Sequence, residues 1–492
     1  MQEEKYYFDL QKVPLKTERE EKRQNRKRLF LTFLIALFCL IAGVGIGFIL
    51  FKYVHPSYKA DASNVMGEIE YDMSNYWLYS SEHDDLIQKM EDKAFYGMTA
   101  FAEDPYTSYM SVEEMDAFST GINMNYVGIG VEYSNIDDVA IVKKVFKKSP
   151  AEKAGILPGD IIISVDGKLI KGLSTSEIKE LVVGKEGTRI LIKVNRSGEE
   201  KDIMCIRGQI DSTIYAYTEN DYVVMELNSF GVTTASECVK YLDEYQHLSK
   251  IIIDIRDNTG GYQNSVREVC GLFIGNDQVY LLQKDVKGVI TEDHTSAKKH
   301  YDNFKDIVII TNSNTASAAE VFALCLKEVH PGVRLLGTTT FGKGVIQTNR
   351  PLNNGGILKM TQYYWLSPNG TSIDKEGIKP DIEVKQADIA YEHYYQMQEG
   401  ESLGLDSVSE YTRIAQLSLE YLDYNISRTD GYFDKGFEEA LLKYKHDYDL
   451  GTDALLDDKT YKSIVSSVIR ELSINPEKDY QLVKAKEIIS GN

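Results

Sequence analysis

The chain has 492 residues, of which 43% are apolar and 26% charged, and its formal net charge at pH 7 is −20. This length exceeds what a single hydrophobic core organises, and the composition is that of a folded protein, so several globular domains are expected. The strongly acidic balance argues against a nucleic-acid partner, because like charges repel.

The first predicted element is a helix that spans a membrane. Residues 29–53 contain a single charge, Lys52, and are long enough to cross a bilayer core of about 30 Å. A basic run, Lys22–Arg28, precedes them, so the positive-inside rule places the tail 1–28 in the cytoplasm and the chain beyond the helix outside. The alternative is a cleaved signal peptide, but the apolar run is longer than a usual h-region and no small-x-small cleavage pattern accompanies it.

The next region, residues 60–120, is predicted to be helical. Between Glu82 and Ala102 apolar residues recur at helical spacing, at Leu86, Met90, Ala94, Met98 and Phe101. The segment Asp104–Tyr109 then ends the helix, since Pro105 biases the residue before it away from helical backbone angles. A new domain is therefore expected after this segment.

Between residues 121 and 208 the pattern changes to short strands. These strands are Gly128–Tyr133, Val139–Val142, Ile161–Val165 and Arg189–Val194. The run Ser149–Asp160, which reads Ser-Pro-Ala-Glu-Lys-Ala-Gly-Ile-Leu-Pro-Gly-Asp, is followed by an Ile-rich strand and by Asp166-Gly167. In these residues the region resembles a PDZ domain.

The resemblance implies that this region binds the C-terminal tails of proteins. In PDZ domains a terminal carboxylate lies against backbone N–H groups of a Gly-containing turn, and the peptide extends a sheet edge. The turn corresponds here to Val127, Gly128, Ile129 and Gly130, where the glycines permit close backbone approach. The alternative is that both glycines only shape a β-bulge.

Residues 209–390 show an α/β pattern. Buried strands are predicted at Tyr222–Leu227, Lys250–Ile255 and Ile307–Thr311. Helices are predicted between and after them, at 235–245, 265–273 and 316–328. Alternation of this kind predicts a layered sheet covered by helices, with ligands at the carboxyl ends of the strands.

Ser317 lies where the last of these strands runs through a polar turn into a helix. A hydroxyl at such a junction can act as a nucleophile, because the helix N-terminus favours developing negative charge. The alternative is structural: Ser-Ala-Ala-Glu is also a capping box, in which Ser317 would bond the amide of Glu320. The local pattern alone favours the cap.

Lys343 stands between two glycines, 26 residues after Ser317. Burial there would lower the pKa of the lysine, so that its neutral amine could take a proton from a serine hydroxyl. A solvated surface lysine is the alternative interpretation. Gly260 and Gly261 follow a predicted strand, where an amide could face an oxyanion, although a plain turn would also suit them.

Other chemistries find little support in the sequence. None of the eight histidines occurs in a comparable motif, so a Ser-His-Asp arrangement is hard to assemble. The five cysteines, at positions 39, 205, 238, 270 and 325, show no CxxC spacing, so neither a disulfide framework nor a zinc site is predicted. We interpret them as free, mostly buried thiols.

Over residues 60–385 the chain resembles the carboxyl-terminal processing peptidases, a Ser/Lys family also called tail-specific proteases. The resemblance implies that Ser317 is the nucleophile, Lys343 the general base and Gln347 the amide that orients the lysine. The implied oxyanion donors are the amide of Ala318 and one amide from Gly260 or Gly261. No metal or cofactor is needed for this chemistry.

Three positions depart from the family pattern. Ala319 replaces a second serine and Thr259 a more common proline, and neither change removes a catalytic atom. Val183 stands where many members carry arginine, which argues against arginine-based sensing of a bound tail. Lys343 and Gln347 are one helical turn apart, so we expect them to face the same side if this segment is helical but not if it is a strand.

Residues 404–475 are predicted to be a separate helical module, followed by a charged tail. The module resembles a three-helix peptidoglycan-binding domain in Ile414–Leu417, Thr429–Asp434, Ala440–Tyr444 and Asp457–Tyr461. The resemblance implies peptidoglycan as a partner. A generic helical bundle that shields the peptidase is the alternative.

The sequence thus predicts a multidomain α+β protein with a transmembrane helix, a helical lead-in, a PDZ domain, an α/β protease core and a C-terminal three-helix module. Its expected function is a serine endopeptidase anchored in the plasma membrane, acting in the bacterial cell envelope on proteins with accessible C-terminal tails. A catalytically silent PDZ and wall-binding adaptor is the alternative, but it would be expected to lack Ser317 or Lys343. A penicillin-binding type of acyltransferase would need Ser-x-x-Lys, whereas Glu320 stands three positions after Ser317.

Overall fold

The computed structural model describes residues 23, 26–27, 29–32, 34, 37 and 60–491, apart from positions 125, 137–138, 197, 211–212, 396 and 399. The chain forms two compact units, Met1–Phe95 and Tyr96–Asn492. Most of the predicted tail 1–28 and of the predicted membrane-spanning segment 29–53 lies outside the described residues. Among the residues that are described, no helix combines the length and the apolar character that a bilayer crossing requires.

Residues 60–123 are largely helical, as predicted. Their elements are α1 (Ala60–Tyr76), α2 (Leu86–Thr99), β1 (Ser108–Met110) and α3 (Val112–Asn123). The helix expected between Glu82 and Ala102 is α2, which ends ahead of the Asp104-Pro105 turn. A capping box starts α3, because the Ser111 hydroxyl accepts the Glu114 amide at 3.2 Å and the Glu114 carboxylate accepts the Ser111 amide at 2.9 Å.

A β-rich domain follows. Its strands are β2 (Tyr126–Gly128), β3 (Val131–Ile136), β4 (Val139–Val145), β5 (Ile161–Val165), β6 (Lys168–Leu169), β7 (Arg189–Arg196), β8 (Glu199–Ile206) and β9 (Gly208–Ile210). Its helices are α4 (Pro150–Ala154) and α5 (Thr175–Val182). The main sheet has the order β3-β4-β5-β7-β8, with β6 beside β5, while β2 pairs with β9. This arrangement leaves β3 at an edge of the sheet.

The single strand predicted over Gly128–Tyr133 is divided in the structure. β2 ends at Gly128 and β3 begins at Val131. Between them Gly130 has φ +79°, and a Cβ added there would lie 2.5 Å from the Ser149 Cβ. Only glycine fits this turn, because both its backbone angle and the close neighbour exclude a side chain.

The α/β core has two sheets. Its strands are β10 (Ile214–Glu219), β11 (Tyr222–Leu227), β12 (Lys250–Asp254), β13 (Val279–Lys284), β14 (Ile290–His294), β15 (Asp306–Thr311), β16 (Val333–Gly337), β17 (Val345–Pro351), β18 (Ile357–Leu366) and β19 (Ile382–Glu383). Its helices are α6 (Thr234–Glu244), α7 (Gln263–Ile274) and α8 (Ala318–Val329). One sheet has the order β10-β11-β12-β15-β16-β19, in which β10 is antiparallel to β11 and the other pairs are parallel. The other has the order β1-β18-β13-β14, with β17 beside β18.

The mainly parallel sheet is apolar on both faces. Ile251, Ile253, Ile307 and Ile309 belong to the same buried cluster as residues of α6, α7 and α8. On the opposite face Ile252, Val308 and Ile310 join Ala485 and Ile489 from the C-terminal end of the chain. Successive side chains of a strand point to opposite faces, so a continuous run of isoleucine and valine satisfies both layers.

The C-terminal region contains four helices. Its elements are β20 (Ser402–Leu403), α9 (Glu410–Tyr421), α10 (Lys435–Asp447), β21 (Leu456–Asp457), α11 (Asp458–Ile474) and α12 (Tyr480–Ser490). The three predicted helices are α9, α10 and α11, and Ile141 of β4 belongs to the same apolar cluster as their buried residues. The expected charged tail is the helix α12, which packs on the core sheet through Ala485 and Ile489.

Candidate active site

Ser317 lies between β15 and α8, at the carboxyl end of the parallel sheet. Its backbone angles are φ 58° and ψ −121°, and its side chain is half-buried. A positive φ is unfavourable for a residue with a Cβ, so the surrounding turn holds Ser317 in a strained conformation. Strain of this kind is common at functional sites, and it separates Ser317 from an ordinary N-cap, which has extended backbone angles.

Glu320 connects the Ser317 turn to the Lys343 loop. Its side chain is fully buried, and its Oε2 accepts the amides of Ser317 at 2.8 Å and Lys343 at 2.9 Å. Its Oε1 accepts the Gly342 amide at 2.7 Å and the Thr340 hydroxyl at 2.5 Å. Burial raises the pKa of Glu320, although these four hydrogen bonds oppose the rise. One carboxylate therefore fixes the backbone positions of both Ser317 and Lys343.

The loop around Lys343 is closely packed. A Cβ at Gly342 would lie 2.7 Å from the Gly377 amide nitrogen, and one at Gly344 would lie 2.5 Å from the Asp374 Cβ. The Lys343 carbonyl accepts the Trp365 indole N–H at 2.7 Å. Glycines on both sides thus let the loop approach its neighbours and carry the lysine inward.

The electrostatic environment of Lys343 favours the neutral amine. Burial is the main cause, and with the positive charge of Lys359 it lowers the pKa of Lys343 to about 8, against the weaker opposing effect of Glu320 and Asp104. The free amine, which is the form a general base requires, is therefore accessible near neutral pH. The sequence analysis considered a buried lysine, and in the structure Lys343 is half-buried.

Ser317 and Lys343 line the same cleft, which has a volume of about 2230 Å³. Within the described part of the chain, no hydrogen bond joins the Ser317 hydroxyl to the Lys343 Nζ. The Nζ instead lies 4.6 Å from the centroid of the Tyr106 ring. The cleft thus contains both groups of the expected pair, with the lysine side chain resting on an aromatic face.

Gln347 lies in β17, not in a helix. In a regular strand positions four apart share a face, so the expectation that a strand would separate Gln347 from Lys343 was wrong in principle. The register between β17 and β18 shifts between Ile346 and Gln347, and such a bulge breaks the alternation. The Gln347 amide donates to the Thr361 hydroxyl at 3.1 Å.

Of the candidate oxyanion donors, Gly260 and Ala318 lie beside Ser317. A Cβ at Gly260 would lie 2.9 Å from both the Ala318 amide nitrogen and the Ser317 Cβ. The Gly260 amide itself donates to the Asn258 side chain at 2.9 Å. Among the described residues, the amides of Ala318 and Gly261 have no acceptor, so of the two glycines Gly261 has the available N–H.

The PDZ turn opens into the same cleft. Gly128, Ile129 and Gly130 line it, whereas Val127 pairs with Gln209 of β9. Across the neighbouring groove the Tyr133 hydroxyl of β3 donates to the Thr175 carbonyl of α5 at 3.0 Å. A peptide added to the edge strand β3 would therefore lie close to the cleft that contains Ser317.

Comparison with known proteins identifies the family. The model of Peptidase family S41 matches residues 221–384, and a PDZ domain model matches residues 141–196. Carboxy-terminal processing protease CtpB of Bacillus subtilis (strain 168) is 31% identical over 474 residues, which cover 92% of this chain and 96% of that protein. The chain belongs to peptidase family S41.

Two further proteins are similar to this S41 peptidase. Carboxy-terminal processing protease CtpA of the same organism is 30% identical over 474 residues, covering 94% of this chain and 99% of that protein. The solved structure of a photosystem II D1 C-terminal processing protease is 23% identical, with a TM-score of 0.42, and covers 64% of this chain and 88% of that one. The similarity to CtpB and CtpA shows that the chain is a serine-type peptidase of the carboxy-terminal processing group, and the matching family model shows that it contains a PDZ domain.

Several residues of the site were not singled out from the sequence. Thr340 and Tyr106 contact Glu320 and Lys343, respectively, but both are distant from them along the chain. In the sequence, the only feature that drew attention to Tyr106 is the Asp104-Pro105-Tyr106 turn, and this turn predicts only the end of a helix. The four described cysteines are buried free thiols, and within the described residues no cluster of side chains is suited to a metal ion.

Proposed function

We propose that this peptidase cleaves protein substrates with Ser317 as the nucleophile and Lys343 as the general base. The observation that carries the proposal is Glu320, whose one carboxylate binds the amides of both residues. The lowered pKa of Lys343, at about 8, supports its role as a base. The strained backbone of Ser317 supports its role as a nucleophile.

The reaction proceeds through an acyl-enzyme. The neutral Lys343 amine takes the proton of the Ser317 hydroxyl while Oγ bonds to the substrate carbonyl carbon, and the carbonyl electron pair moves to oxygen. The amides of Ala318 and Gly261 donate to this oxyanion. As the carbonyl re-forms, the C–N bond breaks and the Lys343 ammonium gives its proton to the leaving amine. Water, deprotonated by the same amine, then hydrolyses the ester and restores Ser317.

Substrates are selected by their C-terminal tails. The tail carboxylate binds the turn of Gly128, Ile129 and Gly130, and its backbone pairs with β3. The shared cleft supports this part of the proposal, because it contains both the turn and Ser317. A flexible chain entering the cleft can then reach the nucleophile.

The remaining parts of the proposal rest on sequence patterns alone. Residues 29–53 anchor the enzyme in the plasma membrane, with residues 1–28 in the cytoplasm and the catalytic part in the bacterial cell envelope. Residues 404–475 bind peptidoglycan, according to their resemblance to a wall-binding module. No metal or cofactor takes part in the proposed reaction.

The test measures cleavage of an unstructured protein by the wild-type chain and by Ser317→Ala and Lys343→Arg. Both variants should be inactive, since alanine lacks the nucleophile and a guanidinium does not release its proton in the working pH range. For the wild type kcat/KM should rise with pH through a midpoint near 8, because only the deprotonated amine is a base. The proposal would be refuted by an active Lys343→Arg enzyme, or by a midpoint of kcat/KM at about pH 6–7, where histidine titrates.

A further inference from the structure

The turn Asp104–Thr107 lies against the Lys343 side chain. The Tyr106 ring lines the active-site cleft, and its centroid is 4.6 Å from the Lys343 Nζ. An ammonium over an aromatic face is attracted by the negative potential of the ring, and the attraction is stronger where water is excluded. Lys343 is half-buried at this point, so the ring is a specific contact of its charged form.

The turn is held rigidly by hydrogen bonds. The Asp104 carboxylate accepts the Tyr106 amide at 3.1 Å, and the Thr107 amide at 3.2 Å and hydroxyl at 2.6 Å. It also accepts the Thr361 hydroxyl of β18 at 3.1 Å. The same Thr361 oxygen accepts the Gln347 amide at 3.1 Å. The turn, β18 and β17 therefore form one connected polar network beside Lys343.

We propose that Tyr106 is a positioning residue for Lys343, holding the lysine ammonium on its ring face within the cleft until the ammonium loses its proton and the amine can act as the base. The inference rests on the proposed function, in which Lys343 is the base. Because Asp104 fixes the turn to Thr361 of β18, which also binds Gln347 of β17, the ring stays at a constant place relative to these two strands. The lysine thus has a defined resting position instead of a solvated one.

The charges around Lys343 allow the effect of the ring to be isolated. Glu320 of α8 and Asp104 of the turn favour the ammonium, whereas Lys359 of β18 and burial favour the amine. The Tyr106 ring also favours the ammonium, through its quadrupole. Replacing it by leucine keeps an apolar wall and the desolvation but removes the attraction, so the pKa of Lys343 should fall.

The test titrates Lys343 directly, in the full-length Ser317→Ala protein, which cannot turn over. The fraction of Lys343 acetylated by a trace of acetic anhydride is measured between pH 5 and pH 11 by peptide mass mapping. The midpoint should lie near 8 and should fall by roughly half to one pH unit in Tyr106→Leu. Tyr106→Phe, which keeps the ring face, should retain the parental midpoint.

A matched control is Tyr215→Leu. Tyr215 also lines the cleft and lies 5.7 Å below another lysine, Lys148, so its loss should leave the Lys343 midpoint unchanged. When Tyr106→Leu is made with Ser317 intact, the midpoint of the rise of kcat/KM with pH should shift by the same amount as the acetylation midpoint. In the same variant kcat should fall by a larger factor than KM rises. An unchanged midpoint in Tyr106→Leu, or an equal shift in Tyr106→Phe, would overturn the inference.

The same measurements separate this inference from the proposed function. If Lys343→Arg is inactive and the parental midpoint is near 8, but Tyr106→Leu does not move it, Tyr106 has no positioning role and Lys343 remains the base. If Lys343→Arg is active, the proposed function fails whatever Tyr106 does. Should Tyr106→Leu not fold, as judged by its thermal unfolding, a shifted midpoint in Tyr106→Ile would support the inference and an unshifted one would overturn it.

Discussion

Glu320 has two structural roles in the active site. It accepts the Ser317 amide, as a capping-box glutamate does, and it also accepts the amides of Gly342 and Lys343. A buried N–H that loses its acceptor costs about 1–3 kcal/mol. The carboxylate therefore stabilises both loops and fixes the backbone of Ser317 relative to that of Lys343, the proposed nucleophile and base.

Glu320→Gln should lower kcat strongly with little change in KM. A glutamine amide supplies one oxygen in place of two, so either the amides of Ser317 and Lys343 or the amide of Gly342 lose their acceptor, and the loop around Lys343 shifts in both cases. Glu237→Gln is the control, because the Glu237 carboxylate is also buried and accepts the Thr213 amide at 2.9 Å and the Thr233 hydroxyl at 2.6 Å. Equal losses of kcat in the two variants, at equal loss of Tm, would show that Glu320 acts only on stability.

The sequence shows only part of this arrangement. The spacing of Ser317 and Glu320 predicted a capping box, and the alternative of a nucleophile could not be decided locally. The contacts that distinguish Glu320 from an ordinary capping-box residue come from Thr340, Gly342 and Lys343, which lie twenty or more positions further along the chain. Local patterns predict hydrogen bonds within one turn, whereas a contact across loops depends on how the sheet brings the two segments together.

At the scale of elements, the edge strand β3 and its preceding turn are suited to capturing a peptide tail. A charge-assisted hydrogen bond contributes about 1.5–3 kcal/mol. Amidating the C-terminus of a substrate peptide should therefore weaken its binding to the full-length Ser317→Ala protein by about 10–100-fold in Kd. Titration calorimetry with acid and amide forms of one peptide measures this ratio, and a ratio near one would make the PDZ domain a structural spacer.

Two glycine variants test whether this turn is the site of capture. Gly130→Ala should abolish the preference for the acid form, since φ is +79° and the new Cβ would meet the Ser149 Cβ at 2.5 Å. Gly167→Ala is the matched control, because Gly167 has φ +82° but nothing within 4 Å of an added Cβ. The Gly167→Ala variant has a similarly strained backbone, but its new Cβ meets no neighbouring atom. It should therefore keep the preference for the acid form of the peptide.

Element positions were predictable wherever the hydrophobic pattern was strong. The strands at Tyr222, Lys250 and Ile307 and the helices that follow them were found within a few residues. The relative orientation of Lys343 and Gln347 was not predictable. It depends on a bulge between Ile346 and Gln347, and a bulge leaves no periodic signal in the sequence. The division of the strand at Gly128–Tyr133 likewise follows from a tertiary contact, that of Gly130 with Ser149.

At the scale of the whole molecule, the C-terminal region connects the PDZ domain to the peptidase core. The Ser466 hydroxyl of α11 donates to the Gly159 carbonyl, and that of Ser473 donates to the Lys143 carbonyl at 3.2 Å. Beyond α11, Arg256 of the core binds Asp479 at 2.7 and 2.8 Å. The sequence predicted helices in this region but could not identify the surfaces against which they pack.

The helix α12 covers the outer face of the parallel sheet. Ala485 is fully buried against this face, in a cluster with Ile252, Val308 and Ile310. Ala485→Asp would place a carboxylate among apolar side chains without a partner, and such a group costs several kcal/mol unless it takes up a proton. The variant should therefore unfold at a clearly lower temperature in differential scanning fluorimetry and lose peptidase activity as it does so.

The neighbouring residue supplies the control. Lys484 is half-exposed and pairs with Glu487 on the solvent side of α12, so Lys484→Asp should change Tm little, since exposed ion pairs contribute at most about 1 kcal/mol. Helix propensity is the same for the two introduced aspartates, and only the surface they face differs. If both variants unfold at the same temperature as the wild type, α12 does not cover the sheet in solution. The core must then bury Val308 and Ile310 in another way.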